Sequence, residues 1–455
     1  MKTRGTYDVV VIGAGLAGLH SALLLEERGL DVLVLEAQAR TGGRIHSMRQ
    51  LGSNAEAGGT YIGAGYDRIM STAARFGIRL IDVTPILEFF REQDLVLGAT
   101  TIRQAEWPTH PANPFPERDR HLLPWSYHRV LTMRENPLAS PQDWLAPEHA
   151  SLDVSMHDWM RQLGLSDAAI KIGYGINPSF GEDAHDVSAL LLLFRGAFSK
   201  AQRGRATDVS LGYTVENGVQ RIPEAMAAAL RREVALACPA VAISEARDTV
   251  RVDCADGSHV TAKRVIASIP FGVLRTLRLD PPLAGVQAEA VAELGSQPIT
   301  QVYLGVRRPF WEDDGYAASL FTDSLPGMVA AARSASDPAT VTHLTAWIMG
   351  RHARALDGLA VAEAGRRVIA AIEDLRPAAR GQLELLGAQS WGGDPYAAGA
   401  WAYFRPGQVR RFAAQMGAPR GRLHFCGEHL GRATRGMEAA LETAERATGE
   451  VLEHM

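Results

Sequence analysis

The sequence contains little of what marks a metal-binding or disulfide-stabilised protein. Only three of its 455 residues are cysteine, and Cys238, Cys254 and Cys426 are spaced neither as metal ligands nor as a disulfide framework. Cysteine usage this sparse fits a reducing compartment. Neither an H-E-x-x-H motif nor a pair of C-x-x-C motifs occurs, so we expect no metal site.

Long apolar runs and an excess of one charge are also missing. The apolar stretch near the N-terminus is broken by glycines and then by Glu26, Glu27 and Arg28, which is unlike a signal peptide. The final segment holds no run of roughly 20 apolar residues that could span a bilayer. The 47 lysines and arginines nearly balance the 51 acidic residues, and the net charge of −4 gives no sign of nucleic-acid binding. We therefore expect neither a membrane nor a nucleic acid as a partner.

The first 44 residues carry the most informative pattern. A β-branched run at residues 7–12 predicts a strand buried on both faces of a parallel sheet. Glycines in G-x-G-x-x-G spacing open a predicted helix that runs to about residue 28, and a second predicted strand at 31–35 ends in an acid. Glycines let the backbone approach a pyrophosphate at the positive end of a helix, and the acid accepts hydrogen bonds from a ribose hydroxyl. The pattern predicts a dinucleotide site formed by Gly13, Gly15, Leu16, Ala17, Gly18, Glu36 and Ala37.

The next residues distinguish a flavin from a nicotinamide dinucleotide by resemblance. The segments Arg40-Thr41-Gly42-Gly43-Arg44 and Glu56-Ala57-Gly58-Gly59-Thr60-Tyr61-Ile62-Gly63 resemble the extended signature of FAD enzymes of the flavin amine oxidase family. In that family the arginine of Gly-Gly-Arg binds the pyrophosphate, for which a planar, charged guanidinium is suited. The resemblance implies FAD-binding roles for Gly43, Arg44, Gly58, Gly59, Thr60 and Tyr61.

The resemblance continues over nearly the whole chain. Residues 216–223 precede a predicted helix at 224–232, and a block of predicted strands follows that helix. In the family, the residue at the position of Val241 in this block contacts the adenine through its main chain. The family's helix at the position of Gly436 directs N–H groups at the flavin N1–C2=O edge, where a positive helix end stabilises the anionic reduced flavin. The matching C-terminal segments imply cofactor-binding roles for Trp391, Gly427, Glu428, Gly436 and Met437.

We predict an α/β fold in which a Rossmann-like, dinucleotide-binding FAD domain is interleaved with an α+β substrate-binding domain. A chain of 455 residues with 46% hydrophobic residues can build both cores. The FAD domain is expected at residues 1–80, 205–290 and 385–455, and the substrate-binding domain at 81–204 and 291–384. In the substrate-binding domain, the nearly all-apolar run at 187–198 predicts a core helix, with the alternative that one face also lines a hydrophobic substrate cavity.

Three positions depart from the family. The cysteine that links flavin covalently in mitochondrial monoamine oxidases is replaced by Ala400, so we expect FAD to be held without a covalent bond. Of the two rings that flank the flavin, Trp401 is present, whereas Gly436 takes the place of the other and opens space for a bulkier substrate. The lysine that holds a water near flavin N5 is missing, and its position falls at Gln301 or Thr300. The candidate catalytic residues are Trp401, Gln301 and Gly436.

The resemblance implies an FAD-dependent amine oxidase whose substrate is a small-molecule amine. The amine would lose a hydride from its α-carbon to flavin N5, and water would hydrolyse the resulting imine to an aldehyde or ketone. Either O2, which would give H2O2, or another acceptor would reoxidise the flavin. Because the chain has no C-terminal membrane tail like that of the mitochondrial enzymes, we expect a cytoplasmic protein, with a homodimer as one candidate assembly.

Two alternatives remain open at this stage. An L-amino acid oxidase of the same fold needs an arginine for the substrate carboxylate. The comparable arginine, Arg68, has the sequence position of a structural arginine in amine oxidases. The other alternative is a flavin-binding protein without activity, which the departures at Gln301 and Gly436 permit.

Overall fold

The computed structural model describes residues 3–51, 55–87, 92–205, 212–334 and 337–455. In these ranges, no helix combines the length and the apolar character that crossing a membrane requires. The strands, in chain order, are β1 (Thr3–Ile12), β2 (Val32–Leu35), β3 (His46–Ser47), β4 (Glu56–Gly58), β5 (Ile62–Gly63), β6 (Leu80–Asp82), β7 (Gln93–Leu97), β8 (Thr100–Ile102), β9 (Gly212–Val215), β10 (Ala240–Glu245), β11 (Val250–Cys254), β12 (His259–Ala267), β13 (Arg278–Asp280), β14 (Gly295–Ser296), β15 (Ile299–Val306), β16 (Ser319–Thr322), β17 (Met328–Arg333), β18 (Val341–Met349), β19 (Leu383–Ser390), β20 (Ala402–Tyr403) and β21 (Leu423–Phe425).

The helices surround the two large sheets that these strands form. Their bounds are α1 (Leu16–Glu27), α2 (Asp67–Arg75), α3 (Thr84–Leu87), α4 (Tyr127–Arg134), α5 (Met156–Gln162), α6 (Asp167–Gly175), α7 (Ala189–Arg205), α8 (Arg221–Ala228), α9 (Phe271–Leu274), α10 (Gly285–Glu293), α11 (Trp311–Asp314), α12 (Gly350–Arg354), α13 (Val361–Leu375), α14 (Gln408–Phe412) and α15 (Gly436–Glu453). Short 3₁₀ helices lie at Arg49–Leu51, Gln104–Thr109, Glu117–Asp119, Pro124–Ser126, Pro141–Leu145, Pro147–Leu152, Pro377–Ala379 and Glu428–Leu430.

The first large sheet is the dinucleotide-binding one. Its order is β13-β10-β11-β12-β1-β2, and β21 also pairs with β12. Strand β1 lies parallel to both β2 and β12, and its residues Val9, Val10 and Val11 are fully buried. A central parallel strand covered on both faces needs such a continuous β-branched run. The predicted α/β fold is therefore confirmed at its first element.

The second large sheet has the order β19-β15-β18-β17-β16-β7-β8. Helix α13 packs against β19 and β15. Strands β7 and β8 pair as an antiparallel hairpin at the end of this sheet, and residues 88–91 before them lie outside the described ranges. This mostly antiparallel sheet, with its helices, is the α+β half of the predicted fold.

The division of the chain between the two sheets corrects one predicted boundary. The FAD segment was expected to begin at residue 385, but β19 pairs with β15 up to the partners Thr300 and Ser390. The second sheet therefore extends through Ser390, which is the last residue of β19. The chain returns to the first sheet only at β21.

Two long helices connect the fold to the functional cleft. Helix α1 packs against α15, and both helices begin at the carboxyl edge of the first sheet. Helix α7 buries Leu190 and Leu193 in the core, as the apolar run predicts, and extends seven residues beyond its predicted end to Arg205. The predicted helix at 224–232 is shifted towards the N-terminus, because α8 runs from Arg221 to Ala228.

Candidate active site

A cleft of about 850 Å³ runs from the start of α1 to the start of α15, and we call it the cofactor cleft. The predicted site residues line it with only two exceptions, Gly18 and Val241. The lining members are Gly13, Gly15, Leu16, Ala17, Glu36, Ala37, Gly43, Arg44, Gly58, Gly59, Thr60, Tyr61, Gln301, Trp391, Trp401, Gly427, Glu428, Gly436 and Met437.

Gly18 lies behind the cleft rather than in it. A Cβ at this position would overlap the carbonyl oxygen of Gly13 and the hydroxyl of Ser268. The third glycine of the motif therefore allows α1 to pack closely on the turn that follows β1. Its role is to position the N-terminus of α1, where Gly15 is the N-cap and Leu16 begins the helix.

Glu36 is held at the end of β2 with its carboxylate facing the cleft. One oxygen accepts the N–H of Ala14 at 2.7 Å, and the other accepts the N–H of Gln38 at 2.8 Å. Burial raises the pKa of Glu36, while these two hydrogen bonds oppose the shift. The carboxylate is thereby fixed beside the glycine turn, where a ribose could meet it.

The path of the chain before β10 places Val241 just beyond the residues that line the cleft. The N–H of Cys238 donates to the Glu36 carbonyl at 2.8 Å, which brings residues 238–240 to the end of β2. Cys238, Pro239 and Ala240 line the cofactor cleft, whereas the Val241 side chain is 43% exposed and lies outside it. The chain has already turned away into β10 at Val241.

The second glycine segment lies between the main chain at Arg44 and the ring of Trp391. A Cβ at Gly58 would overlap the Arg44 carbonyl and lie 3.1 Å from the Trp391 ring. The indole N–H of Trp391 donates to the Ala57 carbonyl at 2.8 Å, which fixes the ring against this segment. The close packing explains why the chain has glycine here.

Arg44 and Glu428 form an ion pair at the centre of the cleft. Arg44 Nη1 donates to Glu428 Oε1 at 2.9 Å and to the Ala400 carbonyl at 3.0 Å, and Glu428 also accepts the N–H of Ala402 at 3.0 Å. Burial by itself raises the pKa of Glu428, but Arg44, His429 and the Ala402 N–H outweigh it and lower the pKa below its usual range. Glu428 is therefore ionised at neutral pH.

The N-terminus of α15 forms the far end of the cleft. Gly436 has φ of +59°, so the backbone conformation favours glycine at this position. A Cβ there would lie 3.9 Å from the Tyr66 hydroxyl, which is ordinary van der Waals contact. The position is therefore open, as the missing ring predicts, and Tyr66 borders the opening.

Gln301 faces the cleft from β15 and has half of its amide unpaired. Its Oε1 accepts a hydrogen bond from the Tyr303 hydroxyl, while its Nε2 is buried and has no partner in the described residues. Thr300, the other candidate for the position of the missing lysine, is also buried but lines neither cavity. Of the two, only Gln301 can present a donor to a molecule in the cleft.

Trp401 lies where the cofactor cleft meets a second cavity. The ring meets Phe180 edge-to-face, with centroids 6.4 Å apart, and its main-chain carbonyl accepts the N–H of Gln297 at 2.8 Å. The second cavity also has a volume of about 850 Å³, and we call it the side cavity. Residues that line both cavities are Thr60, Tyr61, Tyr66, Arg195, Trp347, Trp401, Glu428 and Gly436.

Several lining residues were missed by sequence reasoning. Tyr66 and Trp347 are aromatic residues without a motif, and only the fold brings them beside Trp401. Arg195 did leave a signal, because it is the single charge in the apolar run at 187–198. That charge supports the alternative in which one face of the helix lines a substrate cavity, although the face is cationic and not purely apolar.

Two further expectations can be compared with the structure. Arg68 lines neither cavity and instead pairs with Glu438 at 3.4 Å and Glu445 at 2.9 Å, which fits a structural role. Among the described residues, no group of three His, Cys, Asp or Glu side chains could hold a metal ion.

The cofactor cleft fits the FAD that the resemblance implies. A helix N-terminus and a glycine turn lie beside an ionisable acid at one end, which suits a pyrophosphate and a ribose. A second helix N-terminus at Gly436 and the Trp401 ring lie at the other end, which suits a flavin ring.

Comparisons with known proteins agree with this geometry. The family model for flavin containing amine oxidoreductase matches residues 16–452. The chain is 27% identical to a flavin-containing amine oxidase of Oncorhynchus mykiss, with 100% of the chain and 87% of the relative covered. It is 25% identical to human flavin-containing amine oxidase B, with 98% and 86% covered.

Solved structures share the fold. A double mutant of putrescine oxidase superimposes with a TM-score of 0.75 at 24% identity, covering 99% of this chain and 100% of that one. Cyclohexylamine oxidase from Brevibacterium oxydans gives a TM-score of 0.76 at 20% identity, covering 98% and 99%. At these identities the likeness establishes the architecture.

Proposed function

This chain belongs to the family of flavin-containing amine oxidoreductases, and we propose that it oxidises an amine by hydride transfer from the α-carbon to flavin N5. The product would be an imine, which water hydrolyses to an aldehyde or ketone. FAD is the family's cofactor, and when bound it supplies the electron acceptor for this step. What this chain's own residues contribute is binding, orientation and electrostatics.

The observation that carries the proposal is the continuity of the two cavities at Trp401. The cofactor cleft ends at Trp401, Gln301 and Gly436, and the side cavity begins at Trp401 and Gly436. A substrate in the side cavity would thus meet the flavin end of the cleft beside an aromatic face. Such a face attracts a cationic amine and orients a neutral one.

Three groups have roles that follow from their positions. We assign Trp401 to orienting the amine, and the unpaired Nε2 of Gln301 to holding a water or a substrate atom by a hydrogen bond. The N-terminus of α15 at Gly436 and Met437 would stabilise negative charge that develops on the flavin during reduction.

We further propose that FAD is held without a covalent bond, because alanine stands at position 400, where the mitochondrial enzymes have the cysteine that links the flavin. Acid precipitation of the purified holoprotein should release all the yellow colour into the supernatant. Flavin that stays with the pellet would contradict this prediction.

The proposal also includes the domain roles, the electron acceptor, the cellular location and the assembly. The cofactor cleft and the first sheet support an FAD domain, and the side cavity with the second sheet supports a substrate-binding domain. We also propose O2 as the acceptor that gives H2O2, a cytoplasmic location, which the low cysteine content of the sequence supports, and a homodimer as the assembly to test first.

The test is anaerobic mixing of the holoprotein with a panel of amines and amino acids while flavin absorbance is followed. Bleaching by at least one compound, followed by recovery of the colour and formation of H2O2 when O2 is admitted, is expected. A flavin that stays oxidised with every compound would instead support a binding protein without activity. An L-amino acid oxidase is the second candidate, and the charges of the side cavity favour it.

A further inference from the structure

Three arginines from separate elements line the side cavity. Arg129 belongs to α4, Arg195 to α7, and Arg435 immediately precedes α15. Arg195 also lines the cofactor cleft, and Arg435 is bonded to Gly436, which lines both. The positive charges are therefore concentrated where the side cavity meets the flavin end of the cleft.

None of the three guanidinium groups has a carboxylate within 4.0 Å among the described residues. Arg129 donates to the Trp125 carbonyl at 3.2 Å, and its Nε is buried without a partner. Arg195 donates to the Ser179 hydroxyl. Arg435 stacks on the Phe180 ring at 4.7 Å, and its Nη1 is buried without a partner. Several N–H donors thus remain unused.

Two other arginines with little exposed side chain, Arg376 and Arg44, are paired with carboxylates. Arg376, whose side chain is 3% exposed, binds Asp314 through two nitrogens, and Arg44 binds Glu428. Keeping a charge away from water without a counter-ion is unfavourable, so proteins normally avoid it. The unpaired cluster therefore indicates that a ligand supplies the missing negative charge.

The other ionisable groups facing the side cavity do not supply it. Glu428 is bound to Arg44. Burial raises the pKa of Glu56 to about 7, and its oxygens already accept from Ser47 and Val219. Burial lowers the pKa of His343 to about 4, so it is neutral at pH 7.

The arginines themselves stay charged. Burial and the neighbouring Arg195 lower the pKa of Arg129 to about 9 and that of Arg435 to about 10, both still above neutral pH. Tyr66 lies between the cavities, and burial raises the pKa of its hydroxyl, so it adds no negative charge. The cavity is therefore cationic.

We propose that the side cavity binds a carboxylate of the substrate, so that the amine oxidised by this protein is an amino acid. The inference rests on the proposed function, since it names the substrate class of the same site. Arg195 and Arg435 are the residues that hold the carboxylate, because they lie at the junction with the cofactor cleft, and Arg129, which lines the side cavity but not the cleft, adds positive charge. Trp401, edge-to-face with Phe180, meets the amine-bearing carbon on the cleft side.

The test compares matched pairs that differ by a carboxylate: phenylalanine with 2-phenylethylamine, leucine with 3-methylbutylamine, and 4-aminobutanoate with propylamine. The rate of anaerobic flavin reduction divided by the apparent Kd is measured for each in the holoprotein. We expect the acid of at least one pair to exceed its amine by roughly a hundredfold, as for a desolvated charge pair. Comparison of the two α-amino acids with the ω-amino acid 4-aminobutanoate shows how far the carboxylate lies from the reacting carbon.

Variants assign the effect to the arginines. Arg195→Gln and Arg435→Gln should each reduce the acid-to-amine ratio by at least about tenfold, because each removes one charged hydrogen bond. Arg203→Gln, on an exposed part of the same helix as Arg195, is the matched control and should leave the ratio unchanged. FAD content and circular dichroism of each variant verify that the fold is retained.

A binding measurement separates failure of this inference from failure of the proposed function. Benzoate, which cannot be oxidised, should perturb the flavin absorbance of the holoprotein, and Arg195→Gln should weaken its Kd at least about tenfold. Amines that equal or exceed their acids, or benzoate binding unaffected by both arginine variants, would overturn the inference. If no compound bleaches the flavin, the proposed function fails, and the benzoate titration alone decides whether the carboxylate site exists.

Discussion

Replacing Glu428 with glutamine tests the ion pair at the centre of the cofactor cleft. Glu428 accepts from Arg44 at 2.9 Å and from the Ala402 N–H at 3.0 Å, and the paired side chains are only 22% (Arg44) and 15% (Glu428) exposed. Glutamine retains an acceptor oxygen but leaves the Arg44 charge half-buried without a counter-ion. We expect the apoprotein to lose about 2–4 kcal/mol of unfolding free energy at pH 7.

Glu445→Gln is the matched control. Glu445 pairs with Arg68 at the same distance of 2.9 Å, but the side chains are 42% and 35% exposed. Because water screens that pair, its loss should cost less than about 1 kcal/mol. Urea unfolding of the wild-type protein and both variants, followed by tryptophan fluorescence, gives the comparison. Equal losses in the two variants would refute the reasoning from burial.

The same pair predicts a pH dependence with a definite sign. The pKa of Glu428 is lowered in the folded protein, so the stability it contributes is complete above its unfolded pKa and is lost as pH falls through the folded value. The difference between wild type and Glu428→Gln should therefore be constant from pH 7 to about 5 and shrink below about 4.5. A difference that grew on acidification would contradict the lowered pKa.

Three further substitutions test other parts of the site. Trp401→Ala should slow anaerobic flavin reduction by the best substrate much more than it weakens FAD retention, and unchanged reduction would show that the ring only packs. Gly436→Tyr should reduce turnover of a bulky amine more than that of a slim one, and equal losses for both amines would reject a spacious cavity. Gly436→Ala is the control, because it introduces the backbone strain at φ +59° without the ring. Gly18→Ala should abolish FAD binding, because the new Cβ would overlap the Gly13 carbonyl. The control Gly175→Ala should be tolerated, because no atom lies within 4 Å of the Cβ it adds, and FAD retained by both variants would contradict the close packing at Gly18.

The fold and the cofactor cleft were predictable from sequence to a large extent. The strand at β1, the glycine turn and the acid Glu36 are consecutive in the chain, so local patterns and the resemblance identified them together. Sequence and structure differ where an element is defined by its neighbours. The chain leaves the cleft before Val241, and β19 stays in the second sheet through Ser390, because pairing partners distant in sequence decide both.

Gly436 likewise shows which information the sequence provides and which only the structure provides. The resemblance indicated a missing ring and an open space, and the structure places a Cβ there in ordinary contact with the Tyr66 hydroxyl. The structure adds that the backbone has a positive φ, which no sequence pattern revealed. Either the space around a position or its backbone conformation can require glycine, and only the tertiary structure distinguishes the two causes.

The amino-acid sequence by itself determined the family, the α/β fold and most of the cofactor cleft, because strand periodicity, glycine spacing and the acid after β2 act over short stretches of chain. The tertiary structure alone decided the character of the side cavity. Arg129, Arg195 and Arg435 are far apart in the chain, and each would be an ordinary surface charge if exposed. Folding brings them into one cavity and away from carboxylates, and the free energy of an unpaired charge depends on those surroundings rather than on the residue.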